Sequence, residues 1–394
     1  IDGNNINSTG FTTYSSAGTS AQTVELTTTY ATADLFQLKF AQSADILYVT
    51  HPSYEPRKIS RTSNTAWTIT DMTFSDGPYL RTNVETTTLT LSATTGSVTV
   101  TASAVTGING GDGFLASDIG RLIRWQDAAS EWTFLTITAR ADTTHVTATI
   151  DGPDASATTA TANWRLGSWS DTTSYPAAVT FHQNRLCFAG GSSEPQRVDL
   201  SRTGDFENFA PTDPDATVVD DHAITNNLSA DTVNAIQWIT DDEKGLLIGT
   251  VGGEWVLRPS DTGGVTTPAN VQSKRSTAYG SADIQPIRAG RAVLFIQRAL
   301  RKVRELAYVF EDDGFRAPDL TLVAEHVSRT GMIEMAYQAE PQSLIWVPVT
   351  DGTLLCLTYE RDQKVVGWSR HIIGGQSDAG TTQAKVERVA VIPN

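Results

Sequence analysis

The sequence predicts an all-β fold, a β-propeller with an inserted small β domain. Three observations carry that expectation. Nearly every apolar run is short and bounded by Gly, Pro, Asp, Asn or Ser, the pattern of strands and turns. Five apolar strand cores recur along the chain: "ILYV" at 46–49, "RLCF" at 185–188, "GLLI" at 245–248, "AVLF" at 292–295 and "SLIW" at 343–346. Finally, a Thr- and Ser-rich stretch interrupts the spacing between the first two cores.

Measured between Leu47, Leu186, Leu246, Val293 and Leu344, the steps are 139, 60, 47 and 51 residues. The last three suit a repeat of one four-stranded sheet, the blade of a propeller. Taking out the 86 residues of 81–166 shortens the first step to 53 and brings it into line. Such a sheet has two apolar faces and cannot bury both alone, so sheets stack on their neighbours.

In chain order, residues 1–37 read as a lead-in and 38–80 as the first visible blade. Residues 81–166 read as an inserted small β domain, whose core draws on Phe114, Ile119, Leu122, Ile123, Trp132, Phe134, Ile137 and Trp164. It is expected to project from a blade edge. Residues 167–394 supply the remaining blades, the last one incomplete, because "VERVAVIPN" matches the strand that precedes each core. One helix is expected at "DLTLVAEHVSR", with Asp319 as N-cap and Leu320, Val323, Ala324 and Val327 on one face. The first residues, "IDGNNINSTG", lack an initiator Met and are read as starting downstream of the biological start.

Composition bounds the function. The chain has 394 residues, 39% hydrophobic and 19% charged, which is globular rather than disordered. Thr is abundant and, being β-branched, suits a half-exposed pleated surface. With 29 Lys and Arg against 44 Asp and Glu, the formal net charge is −15. Gripping DNA requires basic residues that displace counterions, so adhesion by the whole surface is excluded. Cys187 and Cys356 lie far apart in apolar runs and read as small buried hydrophobes, not a disulfide. No run is long and apolar enough to span a bilayer, and no signal peptide is recognisable.

A search for chemistry yields no catalytic, cofactor or metal site. The six histidines (His51, His145, His182, His222, His326, His371) show no paired spacing and read as surface or turn residues. Acid clusters at 220–221, 241–243 and 311–313 match no calcium loop, and the last two fall where hairpin turns are expected. "GGDG" and "GTVGG" precede no helix that could cradle a phosphate, and no GxSxG is present. The protein is therefore expected not to be an enzyme and to need no cofactor. One local exception to the acidity is a basic strip, Arg288, Arg291, Arg298, Arg301, Lys302 and Arg304, with no acid among residues 288–304. It reads either as a subunit interface, which Arg suits, or as a contact to DNA phosphate.

The stretch "YATADLFQLKFAQSADILYVTHPSYEPRKISR" (30–61) resembles a segment of phage tail nozzle proteins, also called tail tubular protein B or packaged-DNA stabilisation protein. Residues 175–209, 301–326 and 351–371 are similar to the same group. The resemblance implies a propeller core and assembly as a homohexameric ring in the virion tail of a short-tailed bacteriophage. It further implies retention of packaged double-stranded DNA, a conduit for its ejection, and production in the bacterial host cytoplasm. The partners implied are the adaptor or head-to-tail connector and other tail components such as fibre, spike or needle. The family's N-terminal portion and later strands are absent from this sequence, which leaves ring contacts and closure open.

An acidic channel wall would let DNA slide without salt-dependent sticking, its field reaching about 8 Å at physiological salt. Equally, the charge could serve solubility alone. The alternative function is a glycan-binding or sialidase-like propeller of a tail, since "SDTGGVTT" (260–267) faintly matches an Asp-box turn without its aromatic closure. A WD-type propeller lacks its repeated Trp-Asp pair.

Overall fold

The structure, a computed structural model, describes residues 10–15, 22–230, 232–261, 264–376 and 382–392. Among these, strands form five four-stranded sheets, one six-stranded sheet and one hairpin. The all-β, blade-built fold class expected from the sequence is the one found. The chain divides into two compact units, 1–228 with 259–271, and 229–258 with 272–394.

The first unit opens with the hairpin β1 (Gly10–Ser15) and β2 (Gln22–Thr27). A first blade follows: β3 (Lys39–Ser43), β4 (Ile46–His51), β5 (Tyr54–Ser63) and β6 (Ala66–Asp71), each strand antiparallel to the next. Six strands then make the second sheet: β7 (Leu89–Leu91), β8 (Ser97–Ala102), β9 (Leu122–Gln126), β10 (Trp132–Arg140), β11 (His145–Ile150) and β12 (Trp164–Leu166). Their spatial order is β12-β9-β10-β11-β8-β7. The unit closes on the blade β13 (Ala178–His182), β14 (Arg185–Ala189), β15 (Arg197–Leu200) and β16 (Ile224–Asn227).

Three blades build the second unit. They are β17 (Ile236–Asp242), β18 (Gly245–Thr250), β19 (Gly253–Pro259) and β20 (Val271–Thr277); β21 (Ile287–Ala289), β22 (Ala292–Ile296), β23 (Val303–Val309) and β24 (Gly314–Arg316); and β25 (Ala336–Gln338), β26 (Leu344–Pro348), β27 (Leu354–Glu360) and β28 (Val365–His371).

All five repeat cores fall on the second strand of a blade: β4, β14, β18, β22 and β26. In β14, β18 and β22 every residue is buried, so both faces of the strand are covered and the run is apolar apart from Arg185 and Thr250 at its ends. The fourth strands β6, β20 and β28 carry no buried residue. Stacking supplies the cores. Tyr48 and Met72 of the first-blade segment pack on Val179, Leu186 and Phe188 of β13 and β14. In the second unit, Trp238 and Leu247 meet Val293 and Phe295, and Leu294 and Ile296 meet Ile345 and Leu357. The β13–β14 hairpin turns on Gln183 and Asn184, both at positive φ (46° and 58°), a geometry that matches strand twist.

The six-stranded sheet has its own core, in which Leu89, Val100, Ile123, Trp125, Ile137, Val146 and Trp164 are all buried. Strand alternation sends Leu122 and Arg124 to the opposite face, which is also buried. Ile119, expected inside, is 52% exposed. Its neighbour Asp118 is buried instead, because that carboxylate accepts Leu115 N–H and the Arg121 guanidinium. The sheet is tied at its base: Leu80 N–H donates to Leu166 O, and Trp132 N–H to Pro214 O.

Two expectations fail. Residues 319–329 form successive turns, not a helix. Leu320 N–H donates to Val303 O, which holds the segment alongside β23, and Leu322 and Val323 are left exposed. Residues 386–392 carry no strand; Val386 N–H bonds Gly352 O and Val389 N–H bonds Glu334, and 393 and 394 lie outside the described residues.

Candidate functional site

The basic residues of 288–304 all lie on the β21–β24 blade, but the meander divides them. Arg288 and Arg291 flank the β21–β22 turn, whereas Arg298, Arg301, Lys302 and Arg304 cluster where β22 passes to β23. The five-residue strand between these ends spans about 17 Å at roughly 3.3 Å per residue. Arg288 and Arg304 nonetheless lie only two residue levels apart across the sheet.

Their chemistry divides as well. Lys302 Nζ sits 2.8 Å from Asp319 and 3.0 Å from Glu325, and hydrogen bonds to these carboxylates raise its pKa above the ordinary lysine value. The Arg304 guanidinium stacks 3.5 Å from the Tyr279 ring centroid and donates to Gln297 and Ala317 O. Both brace the blade. Arg288 makes a solvent-exposed pair with Asp241 at 3.7 Å, a contact worth little. The side chains of Arg291, Arg298 and Arg301 point to no acceptor among the described residues and are exposed.

A second arginine group, which the sequence did not single out, lies in the first unit beside the base of the six-stranded sheet. A cleft of about 380 Å³ is lined by Tyr79, Arg81, Arg165, Glu194, Arg197 and Phe209, among others. Arg197 is saturated: Nε reaches both Asp199 oxygens (3.0 and 2.8 Å), Nη1 reaches Glu194 (3.1 Å), and Nη2 donates to Tyr79 O (2.8 Å). Burial opposes its charge, but Asp199 and Glu194 more than offset that and raise its pKa. Arg165 differs. It stands directly opposite Arg124 across the β12–β9 pairing, and both guanidiniums approach the Trp132 ring, at 5.4 and 5.1 Å.

Burial and the Arg124 charge lower the Arg165 pKa, and its shielded Nε has no hydrogen-bond partner. The nearest carboxylate, Asp76, is occupied: it accepts the Tyr79 hydroxyl and lies 3.9 Å from Arg124. Burial raises the Asp76 pKa despite Arg124. Only the spacing of Arg124 and Arg165 on facing strands could have revealed this pair, and sequence does not give strand register.

The remaining candidates are structural. His51, His182 and His222 are buried, correcting the surface reading of these three. Val219 N–H donates to His222 Nδ1, so the proton rests on Nε2, 3.1 Å from Asp213. An imidazole that satisfies a turn amide in this way is stable inside. Among the described residues no group of His, Cys, Asp or Glu could hold a metal. Asp241 and Asp242 end β17 at its hairpin, and Glu311–Asp313 sit in the turn between β23 and β24, where Asp312 pairs with Arg316 and Asp313 accepts from Tyr308. Cys187 and Cys356 are buried, as expected. Of the "SDTGGVTT" stretch, residues 262 and 263 lie outside the described residues; Thr266 N–H donates to Gln183.

Comparison with known families bears on these readings. Residues 175–332 match the bacteriophage nozzle protein family. The matched region runs from the start of the β13–β16 blade through β24 and holds all six basic residues. Two of the four stretches that resemble nozzle proteins, 175–209 and 301–326, fall inside it. The nozzle match supports a bacteriophage tail structural protein. No match was found among curated proteins. Among solved structures, a protein from Lactobacillus plantarum is 12% identical over 83% of this chain and 78% of its own, with a TM-score of 0.33. The β-propeller domain of Cps50 (Swd1) from Myceliophteria thermophila is also 12% identical, over 62% of this chain and 84% of its own, at 0.26. Both scores are too low to carry weight, and the fold rests on the sheets themselves.

Proposed function

We propose that this protein is a non-enzymatic subunit of a ring-shaped tail nozzle, a homohexamer that retains packaged DNA and forms the conduit for its ejection. The observation that carries the reading is the nozzle-family match over 175–332. The blade architecture supports it, because stacked four-stranded sheets make a rigid wall. So does the charge: at −15 the surface offers few cations to hold a sliding duplex. In this reading residues 81–166 are an inserted module that meets another tail component. Of the basic residues of 288–304, Arg291, Arg298 and Arg301 are available to a neighbouring subunit. The adaptor and the fibre, spike or needle proteins are the remaining partners.

Particles assembled without this protein test the reading. Heads that fill with DNA and then lose it are expected; heads that keep their DNA would overturn it. A purified chain that hydrolyses host polysaccharide, with activity lost on changing one carboxylate, would favour the sialidase-like alternative instead.

A further inference from the structure

We infer that the cleft beside Arg81 and Arg165 receives a carboxylate side chain from a second copy of this chain. The inference rests on the ring reading above for its partner, but its chemistry is local. Arg124 and Arg165 are like charges placed face to face across two paired strands, an arrangement that is unfavourable unless a counter-charge joins it. Asp76, the nearest candidate, is already shared between the Tyr79 hydroxyl and Arg124.

Around the recess, four guanidiniums (Arg81, Arg124, Arg165, Arg197) face three carboxylates (Asp76, Glu194, Asp199), and two of those three are bound to Arg197. The donor within reach of an incoming group is Arg81, which is exposed at the rim and has no acceptor among the described residues; Arg165 lines the cleft beside it, with its Nε unpartnered but closed off from solvent.

The walls select the ligand. Phe209, Pro211, Val218, Ile224 and Pro268 line the cleft with apolar surface, and Val218 is 54% exposed. Such walls contact the methylenes of Asp or Glu and weaken solvent screening of the charge pair. A guanidinium then pairs with the carboxylate through two parallel hydrogen bonds. A DNA phosphate is flanked by bulky sugars and suits protruding cations rather than a recessed one. Each copy of the chain carries 44 carboxylates, an ample source of the occupant.

The test uses the intact chain. Sedimentation velocity over a concentration series reads self-association of the parent, Arg81→Glu, Arg165→Gln and Arg165→Lys, with thermal unfolding read alongside. The expected result is association weakened roughly tenfold or more by Arg81→Glu and Arg165→Gln. Arg165→Lys, which keeps the charge but not the fork, should fall between. The parent's association should also weaken as salt is raised. Should Arg165→Gln unfold, Arg81→Glu on the exposed rim decides alone. Unchanged association of a folded Arg81→Glu overturns this inference and leaves the ring reading standing. A parent that stays monomeric overturns both. Binding to duplex DNA that is lost in Arg81→Glu while association persists would assign the recess to phosphate and overturn the inference.

Discussion

The indole of Trp238 lies flat against the backbone of Gly249 on the neighbouring strand β18, leaving no room there for a Cβ. Trp238 is fully buried and its ring centroid sits 5.7 Å from that of Phe295, so the indole joins two stacked blades. Gly249→Ala should therefore destabilise the second unit by about 1–3 kcal/mol through overpacking. Chemical denaturation measures the loss. The same change in a Trp238→Phe background should cost less, since the two positions are coupled.

Leu246, fully buried on β18, reports on the register of the blades. Leu246→Asp should cost several kcal/mol, because the carboxylate would find no partner between sheets. A variant that melts with the parent would place Leu246 outside the core.

Asp118 fastens the base of the six-stranded sheet. It pairs with the fully buried Arg121 at 2.9 Å and accepts from Asn109 and Thr172, while Arg121 Nε donates to Gly167 O. Asp118→Ala should cost about 3–5 kcal/mol, since it strands a buried guanidinium. Replacing both residues by Leu and Met should cost less than the single change. Losses in the double variant equal to the sum of the two single losses would show that the pair is not coupled.

The pair Lys302–Asp319 gives a pH dependence. Burial would raise the Asp319 pKa, but hydrogen bonds from Lys302 and Thr321 prevail and lower it. A depressed carboxyl contributes stability above its ordinary value of about 4 and loses it as pH falls through the lowered one. The raised Lys302 contributes below its ordinary value and loses its part as pH climbs through the raised one. Lys302→Met should thus cost under about 1 kcal/mol at neutral pH, because solvent screens the lysine. That cost should vanish in acid, once Asp319 and Glu325 are both protonated. Thermal melts of both proteins at neutral and acid pH compare the two.

The blades were legible because their second strands are buried on both faces. "LCFA", "GLLIG" and "AVLFI" therefore stand out as apolar runs at regular spacing. The turns at 319–329 were not. Their apolar residues keep helical spacing, yet Leu320 is fastened to Val303 and Val323 is 86% exposed. Tertiary hydrogen bonds overrode the local pattern. The arginine recess was hidden for a related reason. Arg124 and Arg165 are separated by 41 positions and meet only because β12 pairs with β9 in a register that no local signal encodes. The basic residues of 288–304 were legible as a composition but not as two ends of a blade, since the strand between them carries no charge.

The central claim is that this chain assembles into a nozzle ring, and electron microscopy of the purified protein tests it most directly. Class averages of six-fold rings around a central hole are the predicted result. Monomers, or compact particles without a hole at concentrations where sedimentation shows no further association, would contradict it.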